Sequence, residues 1–85
     1  MLHIEVLTPE GKVFSGNILS VTVPGSKGRF EVLNNHAPLL SSLNKGKVSI
    51  VKENKEEYKF DISGGFFEIL NNQIALLAEN VYEIE

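Results

Sequence analysis

Apolar residues recur at every second position along most of this chain, and that period constrains the fold more than any other feature. Leu2, Ile4 and Val6 alternate with His3 and Glu5. A half-buried strand requires this, because successive side chains of a strand point to opposite faces. Leu19, Val21 and Val23 alternate with Ser20 and Thr22. Val48 and Ile50 repeat the pattern, and Tyr58, Phe60 and Ile62 alternate with Lys59, Asp61 and Ser63. Turn residues punctuate these runs at Thr8-Pro9-Glu10-Gly11, Pro24-Gly25, Lys45-Gly46 and Glu53-Asn54-Lys55, each supplying backbone geometry that a strand interior rejects. The clearest hairpin joins Phe66–Leu70 to Gln73–Glu79 through Asn71-Asn72, since asparagine tolerates the positive φ of tight hairpin turns. Its two strands are apolar on both faces, so they are predicted to be central or covered on the outside. Between Asn35 and Asn44 the period breaks. Ala37-Pro38-Leu39-Leu40 there fits either a one-turn helix or an irregular extended stretch.

Short strands at regular spacing predict an all-β fold, a sandwich or flattened barrel of eight to ten mostly antiparallel strands. Its 85 residues suffice for one core, so residues 1–85 are predicted to form a single domain. With 42% hydrophobic and 22% charged residues, the composition is that of an ordered globular chain. The net charge of -3 and lysines scattered among glutamates argue against a grip on nucleic-acid phosphates. Cysteine is absent, which excludes thiol catalysis and thiolate metal sites and suits a reducing compartment. The first residues lack the pattern of a signal peptide, and no apolar run approaches the roughly 20 residues of a membrane span. A cytoplasmic chain, held at a membrane only through partners, is expected.

Chemistry-bearing residues are sparse. A hydrolase would have to combine His36 with Asp61 and a serine, yet Asp61 sits in an alternating strand and reads as a surface position. His3 reads as an outward strand residue, and two histidines with no carboxylate at ligand spacing make no metal site. Gly25-Ser26-Lys27-Gly28 and Gly64-Gly65 do not precede a helix, so they read as turns and not as phosphate cradles. Tyr58, Phe60, Phe66 and Phe67 lack the flanking positive charge of a base-stacking platform; core or protein interface is the expectation for them. No cofactor is expected.

Turns and core contacts explain the segment from Pro24 to Leu40 only in part, and four stretches of the chain carry a resemblance. They are Thr8-Pro9-Glu10-Gly11-Lys12-Val13-Phe14-Ser15-Gly16, His36-Ala37-Pro38-Leu39-Leu40, Ser63-Gly64-Gly65-Phe66-Phe67-Glu68 and Leu77-Ala78-Glu79. In this order, over nearly the whole chain, the set resembles the N-terminal β-sandwich of the epsilon subunit of F-type ATP synthase. The resemblance implies a flattened, ten-stranded, non-catalytic sandwich in the central stalk. It would bind the gamma subunit, stand on the membrane rotor ring, and transmit proton-driven ring rotation during ATP synthesis as a peripheral subunit on the cytoplasmic face of the inner (plasma) membrane.

By position, the resemblance implies a ring-facing loop of Ser26, Lys27, Gly28, Arg29, Phe30 and Glu31. It also implies a gamma-facing set of Thr8, His36, Ala37, Leu39, Leu40 and Leu76, with the core as the alternative expectation for Leu76. Arg29 stands where many members carry an acid, Glu31 where many carry glycine, and Asn34-Asn35 where Pro-Gly is usual. Many members continue into a two-helix inhibitory domain; this sequence ends at Glu85, so no inhibition is expected from it. The competing expectation is a β-sandwich adaptor in another complex.

Overall fold

In the computed structural model, which describes residues 1–83, the described residues form nine strands and no helix. Ile84 and Glu85, the end of the expected single domain, lie outside the described residues. In chain order the strands are β1 (Leu2–Thr8), β2 (Gly11–Gly25), β3 (Gly28–Leu33), β4 (Leu39–Leu43), β5 (Gly46–Lys52), β6 (Glu57–Ile62), β7 (Gly65–Leu70), β8 (Gln73–Ala78) and β9 (Val81–Glu83). One layer runs β4-β7-β8-β1 and the other β3-β2-β5-β6-β9. The 15-residue β2 joins them, pairing with β1 through its first half and with β3 and β5 through its second. Counting β2 once in each layer gives the ten strand positions that the resemblance implied. Every pairing is antiparallel except β1 with β8.

The core is the set of inward positions that the period picks out. Leu2, Ile4 and Val6 of β1 meet Ile74, Leu76 and Ala78 of β8, Phe67 and Ile69 of β7, and Val48, Ile50, Phe60 and Ile62 of the opposite layer. Phe67 and Phe60 are fully enclosed, and Phe30 meets Phe67 edge-on with ring centroids 5.5 Å apart. Burial of this apolar area, at about 25 cal/mol per Å², is the main force holding the layers together. Within the first layer, β7 and β8 approach closely at Gly65. A Cβ there would collide with the carbonyl oxygen of Leu77 on β8, so no other residue fits without moving a strand.

Two local expectations are corrected. The alternation puts Leu19 on one face with Val21 and Val23, but Ile18 pairs with Lys52 and Ser20 with Val51, leaving Leu19 as the extra residue of a bulge. Such a bulge reverses the alternation locally, so Ile18 points inward and Leu19 outward. The ambiguous Asn35–Asn44 segment holds no helix: after a turn at Asn34-Asn35 it continues without regular structure and enters β4 at Leu39. The hairpin at Asn71-Asn72 is as predicted, with φ of 50° and 62° at the two asparagines.

Tyr58 ties the β9 edge to its neighbour. Its hydroxyl donates to Glu83 Oε1 at 2.9 Å, and its ring packs beside Phe14 and Phe60. Burial first, then the hydrogen bond and negative charge of Glu83, push its pKa from the usual 10.0 up to about 12. A raised pKa means that the folded chain holds the proton after the unfolded chain has released it. The stabilisation is therefore complete below pH 10 and is lost as pH rises from about 10 to about 12. Chemical denaturation across that range is expected to show falling stability in the natural chain and a flatter profile in Tyr58→Phe.

Candidate functional site

The two sets of positions implied by the resemblance fall on the β4-β7-β8-β1 layer and on the hairpin beside it. The β2–β3 hairpin closes through Gly25 opposite Gly28, with Ser26-Lys27 as its two-residue turn. Only those two are loop; Gly28, Arg29, Phe30 and Glu31, expected in the same loop, lie in β3. A Cβ at Gly25 would lie 2.7 Å from the Gly28 carbonyl oxygen and from the Phe30 ring, so the bend needs glycine there. The hairpin is pinned to β4: Ser26 N–H donates to the Ser42 carbonyl at 3.0 Å, and Ser42 Oγ donates to Ser26 Oγ at 2.8 Å. Arg29 is held as well, its Nη1 donating to the Lys47 carbonyl at 2.7 Å.

A groove of about 590 Å³ separates this hairpin from the incoming segment, and Ser26, Lys27, Arg29 and Phe30 line it together with His36, Leu39 and Leu40. Most of the ring-facing set and part of the gamma-facing set thus share one cleft. His36 is constrained by its own turn, with its N–H bonded to the Leu33 carbonyl at 3.3 Å and Nδ1 2.7 Å from the Ala37 carbonyl oxygen. Nδ1 donates in that contact, since a carbonyl can only accept. Asp61 is on β6, opposite Lys47 and Tyr82, and no hydrogen bond among the described residues joins it to His36.

Asn34-Asn35, in place of Pro-Gly, makes a workable turn. Asn35 adopts φ of 67°, which asparagine bears at lower cost than other side-chain-bearing residues. The tip of the β7–β8 hairpin supports it. Asn72 Oδ1 accepts from the Asn35 N–H at 2.7 Å, while Asn72 Nδ2 donates to Asn34 Oδ1 at 2.9 Å and Asn35 Oδ1 at 3.2 Å. One side chain thus links the start of the His36 segment to the central hairpin.

Leu76 is a correction. Its side chain is fully enclosed in the core, so it presents no surface to a partner. Its neighbour Leu77 points outward, 48% exposed, opposite Phe66, which is 59% exposed. The sequence left Phe66 as core or interface and this hairpin as covered on its outside without separating the two faces, although parity held the signal: the Asn71-Asn72 turn pairs Phe67 with Leu76 and Phe66 with Leu77, so one pair must face in and the other out. Leu7 lies beside Leu77 in register and Ser42 beside Phe66. Leu40, 73% exposed, occupies the adjacent row opposite Glu68. Thr8 joins Phe66 and Leu77 in lining a groove of about 740 Å³ at the Gly64 end of this face. Thr8 and Leu40 therefore belong to the apolar outer face, whereas His36 lies at the opposite end of the layer with Asn35, Asn71 and Asn72.

Among the described residues no group of histidine and acidic side chains could hold a metal, and no helix is long and apolar enough to cross a membrane.

Residues 1–84 match the family model described as the ATP synthase delta/epsilon chain β-sandwich domain. The chain is 44% identical over 78 residues to an ATP synthase epsilon chain of Chlorobium limicola, covering 92% of this chain and 89% of that one. It is 39% identical over 83 residues to that of Maricaulis maris, covering 98% of this chain and 62% of the relative. Among solved structures it is similar to a chain of the Euglena gracilis mitochondrial ATP synthase assembly of OSCP, F1 and c-ring, with a TM-score of 0.91 over 96% of its length. That likeness, at 15% identity and spanning 52% of the Euglena chain, is one of fold.

Substituting Asn72 separates backbone strain from the lost hydrogen bonds. Asn72→Ala is expected to cost about 2 to 3 kcal/mol, because it removes the three contacts and leaves a β-carbon at positive φ. Asn72→Gly, which removes only the contacts, is expected to recover about 1 kcal/mol of that. Urea denaturation of the two variants checks the difference.

Proposed function

The chain belongs to the β-sandwich family of ATP synthase delta and epsilon chains, and we propose that it serves as the non-catalytic foot of the central stalk, joining the gamma subunit to the membrane rotor ring. The observation that carries this reading is the family match over residues 1–84, together with identity to curated epsilon chains over most of the sequence. Rotation driven by ion flow must pass through such a foot without slipping, which calls for a rigid body with two contact surfaces. The closed pairing of two layers around one core supplies the rigidity.

The gamma-facing surface in this reading is the outer face of β4-β7-β8-β1. Its apolar part is Leu40, Phe66 and Leu77, with Thr8 and the backbone near Ala37 and Leu39 at its margins. Exposed aromatic and aliphatic side chains clustered on rigid strands have the character of interface anchors, and the acidic residues Glu5 and Glu68 in the next row have that of a polar rim. The hairpin tip at Ser26-Lys27 is the ring-facing element. The subunit is then peripheral, on the cytoplasmic face of the inner (plasma) membrane, and reaches the bilayer only through its partners. The coupling ion is the proton in this reading.

Titration of the chain with purified gamma tests the surface. Phe66→Glu and Leu77→Glu are each expected to weaken binding at least about thirtyfold, the loss of a central anchor worth 2 kcal/mol or more. Their thermal midpoints should change little, since both side chains are exposed. Leu76→Ala is expected to do the reverse, losing about 2 to 5 kcal/mol of stability while folded protein still binds. Unchanged affinity in both outer-face variants would remove this assignment.

A further inference from the structure

Charge is distributed unevenly in this acidic chain. Four of its eight basic residues, Lys27, Arg29, Lys45 and Lys47, gather at the end of the sandwich where the β2–β3 hairpin and the β4–β5 turn meet. Their proximity is set by backbone contacts. Arg29 Nη1 bonds the Lys47 carbonyl at 2.7 Å, Asn44 N–H donates to the Pro24 carbonyl at 2.8 Å, and Pro24 is opposite Arg29 in the β2–β3 register. All four side chains are exposed. The chain's ion pairs among the described residues use His3, Lys12 and Lys59; none of the four cations lies within 4.0 Å of a described carboxylate. Glu31 on β3, Asp61 across from Lys47, and Glu79 beside Gly64 lie in the same part of the fold, and none of them forms an ion pair with the four cations.

We propose that this end of the domain receives an acidic protein loop, so that the ring loops it meets present carboxylates to Arg29, Lys45 and Lys47. The proposal rests on the ring-facing orientation given above and adds the chemistry of the partner. Arg29 spends one donor on the Lys47 carbonyl, which fixes the guanidinium plane and leaves its remaining N–H groups for a carboxylate. The two turns that carry Lys27 and Lys45 are pinned to β4 and β2, and Lys47 is held in β5, so the positive charges are presented in a set geometry. A lipid surface is the poorer fit: both turns lack a large exposed apolar side chain to insert, as the exposed ones are Met1, Leu19, Leu33, Leu40, Phe66, Leu70, Leu77 and Tyr82.

The test measures binding of the chain, in complex with gamma, to its cognate ring in neutral phosphatidylcholine nanodiscs, beside ring-free nanodiscs containing phosphatidylglycerol. Raising salt from about 50 to about 300 mM is expected to weaken ring binding about tenfold or more, as solvent-exposed charge pairs are screened. Paired Lys45→Glu and Lys47→Glu should weaken it by a similar factor at low salt, and the glutamine pair by less. A control of equal charge change, Lys12→Glu with Lys59→Glu, should stay within about twofold. Ring binding indifferent to both salt and reversal overturns the inference while leaving the ring-facing orientation standing. Absence of ring binding under every condition overturns the orientation and the inference with it. Binding to phosphatidylglycerol nanodiscs as tight as to the ring assigns the cations to lipid and overturns the acidic-loop proposal.

Discussion

Register across the β7–β8 hairpin is the constraint on which the rest of the molecule depends. A two-residue turn with both asparagines at positive φ admits one pairing of the flanking strands, and a slip of one residue would exchange the faces of the slipped strand. In the pairing adopted, Phe67, Ile69, Ile74 and Leu76 make the centre of the core, and Phe66, Leu70 and Leu77 are left outside. The same turn also positions Asn72 to hold the Asn34-Asn35 bend. Core, outer face and the start of the His36 segment are thus set by one local geometry.

Rigidity and recognition draw on different parts of this arrangement. Burial of alternating aliphatic residues holds the two layers together, and β2 crosses between them, so a load applied at one end is carried through backbone pairing to the other. In the proposed function, recognition uses what burial leaves over: an apolar outer face for the shaft, and a basic end where the β2–β3 hairpin and the β4–β5 turn meet. Apolar contact contributes affinity, while exposed charge contributes orientation and encounter rate. The two surfaces adjoin: Lys45 lines one groove with Phe66 and Leu77, and Leu40 lines another with Lys27 and Arg29.

Much of the fold was legible in the sequence because period and turn chemistry agree. Val48, Ile50, Phe60 and Ile62 alternate without interruption, and each is buried. Legibility failed where an irregularity interrupts the period. The bulge at Leu19 leaves no mark that period alone can read, and the stretch from Asn35 to Pro38 owes its path to Asn72, a residue distant in sequence. The site was legible in outline only. Transfer by resemblance placed Leu76 at a partner, whereas hairpin register shows that its neighbour Leu77 has the exposed position. It also treated Ser26 to Glu31 as one loop, when pairing with β2 extends the strand as far back as Gly28. The basic cluster escaped notice because Lys45 and Lys47 join Lys27 and Arg29 only in the folded chain.

The central claim is that one hairpin register assigns adjacent side chains to the core and to the shaft. The chain contains no cysteine, so single cysteines placed at 66, 67, 76 and 77 report it without background. Thiol labelling rates, measured in the free chain and in its complex with gamma, are the most direct test. Cysteines at 66 and 77 are expected to label rapidly in the free chain and to be protected by gamma, while those at 67 and 76 label slowly in both states. Rapid labelling at 76 in the folded free chain, or undiminished labelling at 66 and 77 in the complex, would contradict the account.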